Sequence, residues 1–134
     1  MPETLASWLD LTVPNAVRAK EFYCAVLGTT TSAIAMKDHK GEYEDFCLYP
    51  CAKSGADADA GPGAGVCHAR GANADVPAVW IPYFTIPNLN HAMDAATQRG
   101  GKVIYGPKTC GGSMQIVLIR DPDGATFGLA CGEM

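Results

Sequence analysis

Leu11–Gly28, LTVPNAVRAKEFYCAVLG, decides the reading of this chain, because it returns once, degraded, as Phe84–Gly101, FTIPNLNHAMDAATQRGG. Thr12, Val13, Pro14, Asn15, Ala19 and Gly28 fall on Thr85, Ile86, Pro87, Asn88, Ala92 and Gly101 at a constant offset of 73 residues. A period that long in a 134-residue chain means two copies of one supersecondary unit, each too small to bury its apolar face alone. Within the first copy, Trp8–Val13 alternates apolar and polar residues, the period of a half-buried strand. Pro14 ends that strand, Asn15 is suited to cap a helix, and Gly28 to close it in the left-handed conformation. Val17, Phe22, Val26 and Leu27 are expected on the helix's buried side.

Working outward, Thr29–Met36 and Tyr43–Tyr49 read as strands around the polar turn KDHKGE, and Val66–Arg70 as a fourth strand. Residues 51–65, CAKSGADADAGPGAG, are expected to form an ordinary mobile hairpin loop, a lid over a ligand being the alternative. GANADVPA then joins the halves. In the second copy Val79–Ile86 is a strand stopped by Pro87, and Asn88 or Asn90 caps a helix buried through Leu89, Ala92, Met93 and Ala96. Lys102–Tyr105, Met114–Arg120 and Ala125–Cys131 are strands, the last two joined by the Asp121-Pro122-Asp123-Gly124 turn. Each half is therefore βαβββ. We expect one domain over 1–134, with modules at 7–71 and 79–132.

Composition narrows the function classes. The net charge of −4, with Lys and Arg scattered, argues against a nucleic-acid surface. No apolar run suits a membrane span, and MPETLASWLDLTV lacks the pattern of a signal peptide, so a cytoplasmic protein is expected. The six cysteines include no C-x-x-C pair and are read as reduced, buried thiols.

The doubled βαβββ plan, the FYCAVLG helix end and the RDPDGATFGL hairpin resemble the vicinal oxygen chelate superfamily, which includes glyoxalase I, extradiol dioxygenases and the fosfomycin and bleomycin resistance proteins. The resemblance covers essentially the whole chain. It implies an α+β fold in which two tandem modules form a curved mixed sheet around a trough, helices outside. It also implies a homodimer, side by side or with exchanged repeats. The family's metal enzymes place one ligand on the first and one on the last strand of each repeat. Those positions fall here on Trp8 and Ile81, on Gly128, and on Cys67 or His68. Too few donors converge for a divalent metal, so no cofactor is expected; a different site built from Cys47, Cys51, Cys67 and His68 is the residual alternative.

The parity of those positions points Trp8, Asp10 and Tyr83 toward the trough, with Asp45 and Cys47 on a neighbouring strand. The most pointed string is Cys67-His68-Ala69-Arg70-Gly71-Ala72-Asn73. His68 and Arg70 are two apart on one expected strand face, where an imidazole would stand beside a fixed cation, with Asn73 adding a hydrogen bond. Equally, Arg70 pairs with Asp45 or Asp10 as a brace and His68 is a satisfied structural residue. The ligand-binding set is thus Trp8, Asp10, Asp45, Cys47, Cys67, His68, Arg70, Asn73 and Tyr83, with His68 and Asp10 the catalytic candidates. Two readings follow: a metal-independent, bleomycin-resistance-like protein that binds a small-molecule ligand in the trough between the modules, or a metal-independent lyase or isomerase using His68 or Asp10 beside Arg70. A metal-dependent lactoylglutathione lyase or dioxygenase fits less well.

Overall fold

The computed structural model describes residues 6–50, 63–109 and 112–132. In chain order it has β1 (Ala6–Val13), α1 (Ala16–Leu27), β2 (Thr30–Asp38), β3 (Gly41–Tyr49), β4 (Ala64–His68), β5 (Trp80–Thr85), α2 (Leu89–Gln98), β6 (Lys102–Thr109), β7 (Gln115–Arg120) and β8 (Thr126–Cys131). The βαβββ plan thus appears twice. The chain forms two compact units, one spanning Leu9–Trp80 and the other taking in Ile81 onward together with Trp8.

In the first unit the strand order is β2-β3-β4-β1. β1 runs parallel to β4, with Asp10 beside Gly65, Thr12 beside Cys67 and Val13 beside His68. β3 is antiparallel to both β4 and β2. The α1 start is made by Asn15, whose Oδ1 accepts the Arg18 N–H at 3.0 Å. Gly28 ends the helix at φ 71°, donating its N–H to the Cys24 carbonyl at 2.9 Å. The core behind this sheet joins Ala16 to Phe46, Leu48, Ala64 and Val66, with Val13, Ala19, Tyr23 and Cys24 packed on it. The helix buries the stripe of Ala16, Ala19 and Tyr23, at i, i+3 and i+7. Val17, Phe22, Val26 and Leu27, expected inside, are exposed. Small residues let the helix lie close to the sheet, and Tyr23 is retained because its hydroxyl accepts the Trp80 indole N–H at 3.0 Å.

The second unit repeats the order as β5-β8-β7-β6, with β5 parallel to β8 and Tyr83 beside Gly128. Asn88, rather than Asn90, caps α2, accepting the His91 N–H at 3.0 Å. Leu89, Val117, Ile119 and Leu129 form its core, and Ala92, Met93 and Ala96 pack there as expected. Asp121 sets the β7–β8 turn, its Oδ1 accepting the N–H groups of Asp123 and Ala125, both at 2.9 Å. β6 continues past Tyr105 to Thr109 through two register irregularities.

Two expectations change at β4. The strand begins at Ala64, which is buried with Gly65, so these two residues are sheet rather than loop; 51–62, with Cys51, lie outside the described residues. It ends at His68, so Arg70 lies past the strand, where Gly71–Asn73 forms a single turn of 3₁₀ helix. Among the described residues no helix is long and apolar enough to cross a membrane.

Candidate functional site

Side chains that share a register position in a sheet point to the same face. Val13, Val66 and Phe46 point toward α1. Asp10, Cys47 and Cys67 therefore share the opposite face, and Asp45, two residues from Cys47, joins them. Four of the nine residues expected at the site thus come together from β1, β3 and β4.

Cys67 is the centre of the group. Its Sγ lies 3.7 and 3.9 Å from the two carboxylate oxygens of Asp10, with the S–H as donor, and it is also hydrogen-bonded to Asp45. Burial, followed by the charges of Asp10 and Asp45, pushes its pKa far above the ordinary thiol range, making it a weaker acid. A thiolate there would be both desolvated and repelled, so Cys67 acts as a hydrogen-bond donor and not as a nucleophile. Burial and then the Asp10 charge likewise raise Cys47.

Asp45 is only 3% exposed. It accepts the His68 backbone N–H at 2.8 Å, which favours its ionised form, but burial outweighs that bond and raises its pKa above the usual carboxylate value. The face therefore carries two carboxyls, that of Asp45 with its pKa raised by burial, beside a thiol held as a hydrogen-bond donor.

His68 lies apart from Asp10 and Cys67, although it still acts electrostatically on Asp45. Beside Val13 in register, it points to the α1 side, where its Nδ1 accepts the Ala16 N–H at 3.4 Å. Ala16 opens α1, so the imidazole receives one of the helix's otherwise unpaired first-turn donors. Its ring meets Tyr43 edge-on at 5.7 Å.

Arg70 is held elsewhere too. Its Nε and Nη2 each donate to Asp38 at 2.9 Å, a bidentate pair, and its guanidinium lies 4.1 Å over the Tyr43 ring. The bond from Arg70 holds the Asp38 carboxyl below its usual range. Neither Asp45 nor Asp10 is the partner that the sequence suggested. Asp38 escaped notice because it closes the β2–β3 hairpin opposite Gly41, a register only the folded hairpin reveals. Tyr43 was findable: it lies two residues before Asp45 on the same strand face. Asn73 lies in the turn after Arg70, donating its backbone N–H to the Arg70 carbonyl at 2.9 Å. Trp8 is half-buried on β1.

Tyr83 belongs to the second unit, is 9% exposed, and covers Gly128. A Cβ built on Gly128 would stand 2.5 Å from Tyr83 Cε2 and 2.9 Å from Cγ, and nearer still to Cδ2. Because Asp10 pairs with Gly65 as Tyr83 pairs with Gly128, the counterpart of Gly128 in the first repeat is Gly65, not Cys67 or His68. The four positions where the resemblance implies metal ligands are thus an indole, a buried isoleucine and two glycines. They do not fit a divalent metal. Among the described residues, no group of three or more His, Cys, Asp or Glu side chains is placed to hold one.

Residues 6–129 match the profile of the Glyoxalase/Bleomycin resistance protein/Dioxygenase superfamily. The backbone is similar to a variant of Streptomyces coelicolor methylmalonyl-CoA epimerase in complex with 2-nitronate-propionyl-CoA, with a TM-score of 0.60, 15% identity, and 98% of this chain and 99% of that one covered. It is also similar to methylmalonyl-CoA epimerase from Mycobacterium tuberculosis (TM-score 0.54, 13% identity, 100% of this chain and 93% of that one). An uncharacterised protein from Methanosarcina mazei resembles it as well (TM-score 0.51, 13% identity, 94% and 92%). No curated protein matches.

Proposed function

Because the chain belongs to the Glyoxalase/Bleomycin resistance protein/Dioxygenase superfamily, we propose that it is a metal-independent member that binds a small organic molecule. The ligand rests on the first module's sheet face, against Asp10, Asp45, Cys47 and Cys67. The observation that carries this reading is the convergence of those four polar side chains on the face away from α1, on three adjacent strands. A few placed hydrogen-bonding groups on a sheet floor is the composition of a small-molecule site.

Proton-transfer catalysis by His68 or Asp10 beside Arg70 is the weaker reading. Arg70 is committed to Asp38, and His68 to the start of α1. Asp10 remains with the binding face.

The test is a ¹⁵N-resolved NMR titration with two probes, bleomycin and propionyl-CoA, repeated after dialysis against EDTA. Binding of either probe should shift the amides of Asp10, Asp45, Cys47 and Cys67, equally with and without chelator. Shifts confined to other residues, or lost after dialysis, would overturn the reading.

A further inference from the structure

Arg70 is fixed on two sides. Its Nε and Nη2 donate to Asp38, each at 2.9 Å, and its guanidinium lies 4.1 Å over the Tyr43 ring. Asp38 is set in turn, its Oδ1 accepting the Lys40 N–H at 2.8 Å. Gly71, at φ 56°, carries the chain past this pair so closely that a Cβ there would stand 3.3 Å from the Asp38 Cβ. The two side chains are not equally covered: that of Asp38 is 5% exposed and that of Arg70 30%. A guanidinium is a planar fork of N–H donors with two usable edges. The Asp38 pair occupies the Nε–H and one Nη2–H, which form one edge, and leaves the Nη1 donors and the second Nη2 donor on the other. With one edge taken by Asp38 and one face by Tyr43, the exposure of Arg70 falls on the free edge and the outer face.

We propose that the free edge of Arg70 is an oxyanion anchor, which takes the carboxylate or phosphate group of a small molecule through two parallel N–H···O bonds. Two coplanar oxygens match that edge as the Asp38 carboxylate matches the other. The main argument is preorganisation. An arginine loses rotamer freedom when it grips an anion, and here the Asp38 pair and the Tyr43 stack have already removed that freedom. Charge favours an anion as well. Residues 37–40, KDHK, set Lys37 and Lys40 around Asp38, and Glu42 stands opposite Lys37 in register. Lys37, Lys40 and Arg70 thus outnumber Asp38 and Glu42 at the hairpin tip, and His39 adds its field there. Tyr43 precedes Asp45 by two residues on one face of β3, so the anchor borders the proposed binding face. On that reading of the face, the molecule bound there carries its acidic group toward the hairpin tip; the anchor itself stands without it.

The experiment follows the Arg70 side-chain Nε–H and the Gly71 amide of the full chain by ¹⁵N-resolved NMR, while sodium acetate or sodium phosphate replaces sodium chloride at constant ionic strength. Both signals should move along a saturable curve with acetate or with phosphate, and should not move when chloride alone is varied. Saturation by acetate identifies a carboxylate ligand, and saturation by phosphate alone a phosphorylated one; either supports the anchor. Arg70→Lys keeps the charge without the fork, so binding read at Gly71 should weaken roughly tenfold, the loss of about one charge-assisted hydrogen bond. Shifts that never saturate, shifts that chloride reproduces, or unweakened binding by Arg70→Lys would overturn the proposal, since each is screening of surface charge and not a fork. If Arg70→Lys does not fold, the wild-type titration decides, because saturation at the Arg70 Nε–H is read without any substitution. These probes and signals differ from those that test the binding face, so the anchor and that reading can fail separately.

Discussion

Placing a single methyl group at Gly128 tests the packing of the second module most directly. Tyr83 lies beside Gly128 in the parallel β5–β8 register, and its ring covers the bare backbone there. Gly128→Ala would put Cβ 2.5 Å from Cε2 and 2.9 Å from Cγ, where carbon atoms prefer about 3.5–4.0 Å. The ring must withdraw by roughly 1 Å, yet Tyr83 is 9% exposed. Overpacking of this kind costs about 1–3 kcal/mol. The smaller unfolded-state entropy of alanine returns about 0.4–1 kcal/mol, leaving a net loss of roughly 1–2 kcal/mol. Tyr83→Ala alone should cost about 3 kcal/mol as a large-to-small core substitution. With the ring gone the clash goes too, so Gly128→Ala in the Tyr83→Ala background should be neutral or stabilise by about 0.5 kcal/mol. The double-mutant cycle then yields a coupling of about 2 kcal/mol. Urea unfolding of the four proteins, followed by circular dichroism, measures it. An unchanged midpoint for Gly128→Ala, or the same loss in both backgrounds, would refute the account of Tyr83 as a ring laid on glycine.

Asp45→Asn keeps an oxygen for the His68 N–H and removes the charge. Because burial raises the Asp45 pKa in the folded state, wild type should lose stability relative to this variant as pH rises from the ordinary carboxylate value through the raised one; a flat difference across that window in pH-dependent melting counts against buried ionisation. Asp38 works in the opposite sense. Its depressed pKa stabilises the fold above the ordinary carboxylate value, and that contribution disappears as pH falls through the depressed value, so Asp38→Asn should lower the melting temperature at neutral pH and narrow the gap in acid. Hydrogen exchange should also quicken at the β2–β3 tip in that variant. Among Cys24, Cys47, Cys67 and Cys131, iodoacetamide at mildly alkaline pH should label Cys67 last by peptide mass mapping, since its thiolate is suppressed by burial and two carboxylates; early labelling of Cys67 would mean that the face is open or the carboxylates are not where they are described.

The architecture was legible because its signals are local and doubled. Asn15 with Gly28, and Asn88 with Gly100 and Gly101, bracket two helices by capping chemistry that depends only on neighbours a few residues away. The Pro14 and Pro87 stops and the Asp121 turn act over the same range, and the 73-residue repeat makes each half confirm the other. Even the grouping of Asp10, Asp45 and Cys47 on one face followed from side-chain alternation. The choice of α1's buried stripe did not: hydrophobicity favoured Phe22 and Val26, whereas close approach of helix and sheet favoured Ala16 and Ala19.

His68 and Arg70 mark the limit. Two residues apart, they share a face only while the strand continues, and β4 stops at His68. Arg70 then meets Asp38, 32 residues away in sequence, and His68 meets the first turn of α1, 52 residues away. Local sequence determined the elements, their caps and the alternation that groups Asp10, Asp45 and Cys47, while the β1–β4 register decided that Cys67 and not His68 joins them. Tertiary structure alone decided where β4 ends, which carboxylate holds Arg70 and which backbone donor His68 receives, because a long-range partner is selected by register and packing, and neither is encoded in any window of a few residues.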